Sequence, residues 1–296
     1  MDTHKHRASD AQVNRESARV VRVSPLPGGH CRVRLRAPSI AAAARPGQFV
    51  NIATPLGASL LRRPLGVYQT YDQTDIEVLF KTLGKGTVAL AGVKAGDALD
   101  VIGPLGKGFD LSGKLPETAV LVAGGFGVAP LHPLALALRG KVKRVYLFVG
   151  TETELPLDTS DSAMQLSFVD PDVNVTLADF EEPGVIARVA TLSERPGFYH
   201  GLVTELLEEL LSGPEPVGRT KIYACGPWAM LKKTASVAAR HGLGCDVLLE
   251  ERMGCGIGAC MSCVVRVKDA NGQAAYVRAC VEGPVFDAAV VDWEAK

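Results

Sequence analysis

The sequence has no excess of charge of either sign: 32 Lys and Arg balance 32 Asp and Glu. A nucleic-acid binder would show a basic surplus gathered on one face, so that class is excluded. Aromatic residues are scarce, at 6% of the chain. Nothing like a secretory leader opens it, because residues 1–16 are polar with no apolar stretch behind them. The one uncharged run of membrane-span length, Ala119 to Leu138, is broken by Gly124, Gly125, Gly127, Pro130, His132 and Pro133. Strand, glycine turn and helix start fit it better than a spanning helix. The chain therefore reads as soluble and cytoplasmic. A disulfide scaffold is also a poor fit to a chain this long with no leader.

Apolar residues make up 47% and charged residues 22% of the 296, ordinary globular usage with enough apolar side chain for real cores. At about 150 residues per domain this length suggests two domains, or three at most. Short β-branched or alternating runs (18–23, 31–35, 48–53, 66–70, 76–80 and 98–102) recur through 17–112, separated by Pro and Gly. That spacing predicts a small antiparallel β-barrel, with a short helix at 87–91. From Thr118 the texture changes to apolar strands at 119–123, 142–149, 173–177 and 221–224, with helical stretches at 131–138, 203–211 and 227–240. Alternating strands and helices predict a Rossmann-like parallel sheet over 113–243. The remainder, 244–296, is short and cysteine-rich and reads as a metal module. The fold class is thus multidomain, β followed by α/β, with residues 1–16 a polar tail.

Four of the seven cysteines crowd into 26 residues: Cys255, Cys260 and Cys263, then Cys280 after a gap of sixteen. C-x4-C-x2-C with a distant fourth thiol is the spacing of the plant-type [2Fe–2S] ligand set. Gly254, Gly256 and Gly258 allow the sharp turns that wrap three thiolates around one cluster. The alternative is a structural zinc site, although zinc usually pairs its thiols as two short knuckles.

Two glycine-rich turns follow apolar strands. Gly124-Gly125-Phe126-Gly127-Val128-Ala129-Pro130 opens a helix, and Cys225-Gly226-Pro227 ends the fourth strand. Ligands gather at the carboxyl ends of strands in open α/β sheets, and a helix N-terminus favours a pyrophosphate. Either turn alone would also suit plain structure, and Cys225 could be an ordinary buried thiol. In the barrel, Arg63 can pair with a phosphate, and Gly84-Lys85-Gly86-Thr87 at a helix start offers a second anion site. The combination suggests two dinucleotides. Acidic Glu152 and Glu154 after the second sheet strand suit a ribose hydroxyl, favouring NAD over NADP.

The order of RRPLGVY, GKGT, GGFGVAP, ACGPWAM, EERMGCGIGACMSC and RACVEGPVF resembles the ferredoxin reductase superfamily. Within it the chain is most similar, over about 17–290, to the electron-transfer subunits of dihydroorotate dehydrogenase B. That resemblance implies FAD on the barrel, NAD on the sheet domain and a [2Fe–2S] cluster in the C-terminal module. It also implies a partner, an FMN-containing dihydroorotate dehydrogenase catalytic subunit, in an assembly with two of each chain. Carried over by position, Arg63, Pro64, Leu65 and Gly66 line the FAD, with Arg63 on its pyrophosphate. Leu79, Phe80 and Lys81 meet it along the next strand, and Gly86 and Thr87 offer amides to its phosphates. Gly124, Gly125, Gly127, Pro130, Cys225, Gly226 and Pro227 face NAD, while Cys255, Cys260, Cys263 and Cys280 ligate the cluster. Gly66 departs from the Ser or Thr usual in the family, which removes a side-chain hydroxyl from the flavin.

The expected function is an electron relay from the partner's FMN through the cluster and FAD to NAD+, serving pyrimidine biosynthesis. No catalytic acid–base dyad is visible, and His132, His200 and His241 read as structural or surface residues. Met253 and Met261 suit either a docking surface or core packing. Two rivals remain: a reductase subunit of the same architecture serving a hydrogenase, an oxygenase or ferredoxin, and a zinc-stabilised interaction module with an empty nucleotide fold.

Overall fold

The computed structural model describes residues 13–55, 58–181, 184–213, 218–269 and 271–295. They form two compact units. One comprises the described part of Met1–Pro25 with Gly29–Gly108 and Glu250–Val285; the other holds Leu26–Gly28, Phe109–Leu249 and the described part of Phe286–Lys296.

The first unit is built on six strands: β1 (Asn14–Leu26), β2 (His30–Arg36), β3 (Phe49–Ile52), β4 (Arg63–Tyr71), β5 (Asp75–Lys81) and β6 (Ala98–Leu105). They close into a barrel in the order β1-β2-β5-β4-β3-β6, which leaves no sheet edge to aggregate. Alternation sends Ala18 and Val20, Cys31, Val33 and Leu35, and Ile76, Val78 and Phe80 into the core. Each fully buried Val, Leu or Ile contributes about 2 kcal/mol. Helices α1 (Pro38–Ala43) and α2 (Lys85–Ala91) add Ile40 and Leu90 to the same core. Strand β3 is buried on both faces. Val50 and Ile52 belong to the barrel core, whereas Phe49 and Asn51 point the other way and are equally covered.

The second unit follows in chain order as β7 (Thr118–Gly124), α3 (Val128–Leu138), β8 (Arg144–Gly150), β9 (Thr159–Asp161), β10 (Val175–Leu177), α4 (Ala178–Glu181), β11 (Ile186–Thr191), β12 (Tyr199–His200), α5 (Val203–Ser212), β13 (Thr220–Cys225), α6 (Trp228–Arg240) and β14 (Gly244–Leu248). A hairpin of β15 (Val264–Lys268) and β16 (Ala274–Arg278) belongs to the first unit, and β17 (Val285–Asp287) completes a seven-stranded sheet. Its order is β12-β11-β8-β7-β13-β14-β17, and strands β12 through β14 in that order run parallel. The chain leaves β7 in one direction and returns to its other side at β13, so the reversal lies between these two central strands. Residues 119–123 of β7 are wholly buried, as a strand covered on both faces must be.

The uncharged run 119–138 is strand, turn and helix, as its glycines and prolines imply, and among the described residues no helix is long and apolar enough to cross a membrane. Other expectations are corrected. The expected polar tail ends early: Asn14, Arg15 and Glu16 pair with β6 opposite Gly103, Ile102 and Val101. Residues 1–12 lie outside the described residues. The 173–177 run does not enter the parallel sheet, because β10 pairs with β9 in a separate two-stranded sheet. The third sheet position is taken by β11, hidden in the sequence by Arg188. That guanidinium is 1% exposed and donates to the carbonyls of Val173, Ala187 and Met164, which is how a buried cation is tolerated. The sheet also runs past the boundary expected at 243/244 to include β14. Beyond β17 the chain stays on it, with Ala288 N–H donating to Cys245 O at 2.8 Å and Trp293 lying 4.9 Å from Trp228.

Asp100 on β6 ties the barrel ends together, accepting from Arg15 at 2.8 Å and from Arg62. The Arg15 hydrogen bond, opposed by partial burial and aided by Arg62, lowers its carboxyl from 3.8 to about 2. The folded carboxyl thus stays ionised to lower pH than the unfolded one. Its contribution is complete above about pH 4 and is lost as pH falls through about 2. Its side chain is 33% exposed, so Asp100→Asn should cost only about 1 kcal/mol. Thermal melts should show that deficit at pH 6 and find it shrinking towards pH 2; a deficit independent of pH would contradict the assignment.

Candidate functional site

In the first unit the loop from Gly254 to Cys263 gathers donors around sulfur. Cys255 N–H donates to Cys260 Sγ at 3.3 Å, and the amides of Ala259 and Ile257 donate to Cys255 Sγ at 3.2 and 3.5 Å. Ser262 Oγ lies 3.1 Å from Cys260 Sγ and accepts from Gly254 N–H at 2.8 Å. The Ser262 hydroxyl, with the amides behind it, pulls the exposed Cys260 thiol down to about 6. Cys280 is pushed up to about 12 by burial and by the adjacent Cys263 thiol. The thiols feel one another electrostatically: Cys260 is influenced by Cys255, and Cys280 by Cys263 and also by Cys255. Among the described residues no three His, Cys, Asp or Glu converge on one point as for a single ion. All four cysteines are free thiols, and amides aimed at sulfur stabilise the thiolate that a [2Fe–2S] cluster takes as ligand, two to each iron. The donor set fits that group.

Arg278 on β16 clamps this loop. It donates to Gly258 O at 3.0 Å while its guanidinium pairs with Glu282 at 2.5 Å. Ile257 and Met261 are exposed on the loop, and Met253 is half-buried. Neither Arg278 nor Ser262 was marked by motif spacing, although both lie beside the cysteines in the chain.

The flavin motif lies on the same unit. Arg63, Pro64, Leu65 and Gly66 form the start of β4, and Leu79, Phe80 and Lys81 the end of its antiparallel neighbour β5. Phe80 packs into the barrel core, whereas Leu79 is buried on the opposite side of the strand. The two adjacent arginines differ in kind. Arg62 is neutralised by Asp100 and also donates to the carbonyls of Asp100 and Asn51. Arg63 donates to Ser59 Oγ at 2.7 Å and to the carbonyls of Leu61 and Arg62, so among the described residues it meets no carboxylate. Its guanidinium lies against the start of α2, where a Cβ on Gly86 would come within 2.3 Å of Arg63 Nε. Val88 N–H is the first to bond back, to Gly84 O at 2.9 Å, leaving the amides of Lys85, Gly86 and Thr87 ahead of the helical ladder. The Thr87 hydroxyl is spent on the turn, accepting from Leu83 and Gly84 N–H at 3.0 and 3.2 Å. A cation beside open amides fits a pyrophosphate. The same segments expose Leu60, Leu61, Leu83 and Val88, with Leu60 at 99%, an apolar rim suited to a ring system that motif reading missed.

In the second unit the two glycine turns meet at the reversal point. A Cβ on Gly127 would fall 2.1 Å from Cys225 O, and one on Gly226 would fall 2.8 Å from Gly124 N. Only bare backbones fit there. Cys225 is fully buried, whereas Gly124, Gly125 and Pro130 reach the surface. At the carboxyl ends of β8 and β11 lies a cavity of about 200 Å³ lined by Thr151, Thr153, Glu154, Asp158, Arg195 and Phe198 among others. Glu152 is committed elsewhere, accepting from Leu192 N–H at 2.8 Å. The histidines are engaged in structure: His132 packs on Phe180, His200 bonds Leu192 O and His241 pairs with Glu208.

Residues 250–292 match the family model described as the iron–sulfur cluster binding domain of dihydroorotate dehydrogenase B. The electron transfer subunit of dihydroorotate dehydrogenase B (NAD(+)) from Desulforamulus reducens is 35% identical over 261 residues, 87% of this chain and 90% of that protein. The Enterococcus faecalis subunit is 34% identical over 252 residues, 83% and 86% of the two chains. Among solved structures, an NADH-dependent reduced ferredoxin–NADP oxidoreductase studied for flavin-based electron bifurcation superposes with a TM-score of 0.73 at 28% identity, covering 94% and 91%. The ferredoxin NADP+ reductase of Neisseria gonorrhoeae, solved with bound FAD and NADP, shares the fold at a TM-score of 0.55 and 18% identity, covering 79% and 93%. On this sequence likeness, with the sulfur loop and the barrel's arginine motif both in place, the chain belongs to the family of electron-transfer subunits of dihydroorotate dehydrogenase B.

Proposed function

We propose that this chain carries electrons between an FMN-containing dihydroorotate dehydrogenase catalytic subunit and NAD+, in a cytoplasmic assembly with two copies of each subunit. The observation that carries the reading is the pairing, within one compact unit, of a three-thiol loop rich in N–H···S contacts, with Cys280 returning after β16, and an arginine on the barrel that among the described residues meets no carboxylate. When bound, the [2Fe–2S] cluster supplies one-electron transfer and FAD the exchange between single electrons and a hydride. Everything else falls to side chains and backbone. Cys255, Cys260, Cys263 and Cys280 hold the cluster. Arg63 and the first-turn amides of α2 hold the FAD pyrophosphate, and Leu60, Leu61, Leu83 and Val88 exclude water from its rings. Gly66 offers only its backbone where a hydroxyl is usual.

The turn Gly124–Pro130 receives the NAD pyrophosphate at the start of α3. Gly226 and Pro227 border the same site, and buried Cys225 supports it from beneath. Glu154 and Asp158, which line the cavity at the ends of β8 and β11, suit a ribose hydroxyl, the choice expected for NAD; Arg195 lines the same cavity over the Phe198 ring. A second reading, a reductase subunit that serves another acceptor, draws support from the full-length likeness to the ferredoxin–NADP oxidoreductase.

The two readings part on reconstitution. Chain purified without oxygen should hold about two irons and one FAD. Mixed with an FMN-containing dihydroorotate-oxidising subunit, it should reduce NAD+ with dihydroorotate as donor. Cys260→Ser should abolish that flux while FAD and NADH oxidation by a dye persist. Wild-type chain that reduces ferredoxin but supports no dihydroorotate-dependent reduction would favour the second reading.

The two arginines should separate as well. Arg63→Ala removes a charge-assisted contact of about 2 kcal/mol, so FAD should bind roughly 30-fold more weakly with the melting temperature of the apoprotein little changed. Arg62→Ala should do the reverse, lowering the melt through Asp100 and sparing FAD affinity. Equal effects of both substitutions on FAD binding would contradict the assignment.

A further inference from the structure

Asn51 lies on the face of β3 away from the barrel core and is 1% exposed. Its Nδ2 donates to the Cys255 carbonyl at 2.8 Å, although the two residues are 204 apart in the chain. Its Oδ1 is buried with no hydrogen-bond partner among the described residues. An amide with one half unsatisfied is a poor choice for packing alone, because a leucine of similar size would leave no bare acceptor. The partner fixes its orientation, since only the NH2 can face a carbonyl. Opposite it, Gly256 has a φ of 70°, and a Cβ there would come within 2.6 Å of Asn51 Nδ2. The glycine and the amide are matched to each other.

The Cys255 peptide is the centre of the sulfur loop. Just before it, Cys255 N–H reaches Cys260 Sγ; just after it, Ile257 and Ala259 N–H reach Cys255 Sγ. The peptide is planar, so its C=O and the following N–H point in opposite directions. Pinning the Cys255 carbonyl to β3 therefore fixes where Gly256 N–H points and the path the next residues take. Hydrogen bonds to the sulfurs are among the terms that set a cluster's reduction potential.

We infer that Asn51 is a positioning residue for the iron–sulfur site: by holding the Cys255 carbonyl from β3, it sets the N–H···S geometry around Cys255 and Cys260 and so the potential of the cluster. This rests on the ligand assignment proposed above. Asn51 also pairs in register with Pro64 of the flavin motif, so FAD content is an internal control.

The test compares full-length wild type with Asn51→Leu and, from the other side of the contact, Gly256→Ala. Iron, FAD, melting temperature and the electron paramagnetic resonance signal are read during a potentiometric titration. Both variants should keep FAD. Losing N–H···S contacts disfavours the reduced cluster, so its potential should fall. At the poise that half-reduces the wild type, the ratio of oxidised to reduced cluster should rise at least about threefold. Loss of iron from Asn51→Leu, with FAD and melting temperature retained, would equally support the inference. Both variants carrying a cluster with wild-type potential and signal would overturn it, however much either is destabilised. Wild type without iron would overturn the ligand assignment itself, a separately visible result.

Discussion

The hydrogen bond from Asn51 to the Cys255 carbonyl, admitted by the bare backbone of Gly256, makes the sulfur loop part of the barrel rather than an appendage to it. Strand β3 is only four residues long, yet both its faces are buried. Val50 and Ile52 serve the barrel core, while Phe49 and Asn51 are covered from outside. Phe49 sits where a Cβ on Gly106 would approach its ring to 3.0 Å and one on Gly256 to 3.7 Å. Register then links the site for one cofactor to the site for the other, because Asn51 opposes Pro64 and Phe49 opposes Gly66. One short strand pair thus orders both candidate cofactor sites of this unit.

Charge is divided with similar economy. Two neighbouring arginines begin the motif, and a single carboxylate decides between them. Asp100 takes Arg62 and Arg15 into a structural triad, which leaves Arg63 facing neutral oxygen atoms and the open start of α2. A guanidinium so placed favours an anion more than one already paired, since its charge remains uncompensated in a half-buried setting. In the sulfur loop the corresponding task falls to backbone amides, the Ser262 hydroxyl and the Arg278 clamp.

Legibility in the sequence followed the distance over which each feature is built. The cysteine spacing is confined to one tight loop and one return, so ligand geometry is written into the chain and could be read directly. The barrel strands showed through alternation, and β7 through its continuous apolar run. Strand β11 did not show, because Arg188 interrupts an apolar pattern and its guanidinium is met by carbonyls brought from 173 and 164. The role of β14 as a sheet strand was masked by the cysteines that follow it, and the pairing of residues 14–16 with β6 by their polarity on a barrel exterior. Asn51 carried no local signal at all, since its partner lies 204 residues away. Nor could spacing distinguish Arg62 from Arg63, when the deciding residue, Asp100, sits on another strand.

The central claim is that one chain couples a single-electron centre to a hydride-exchanging flavin. The most direct measurement is an anaerobic titration of the purified chain with dithionite and, separately, with NADH, followed by visible absorption and low-temperature electron paramagnetic resonance. The account predicts about three electron equivalents per chain, two on FAD and one on a [2Fe–2S] centre. With NADH, a reduced-cluster signal should appear as the flavin bands bleach. Flavin that bleaches with NADH while no iron–sulfur signal appears with either reductant would contradict it.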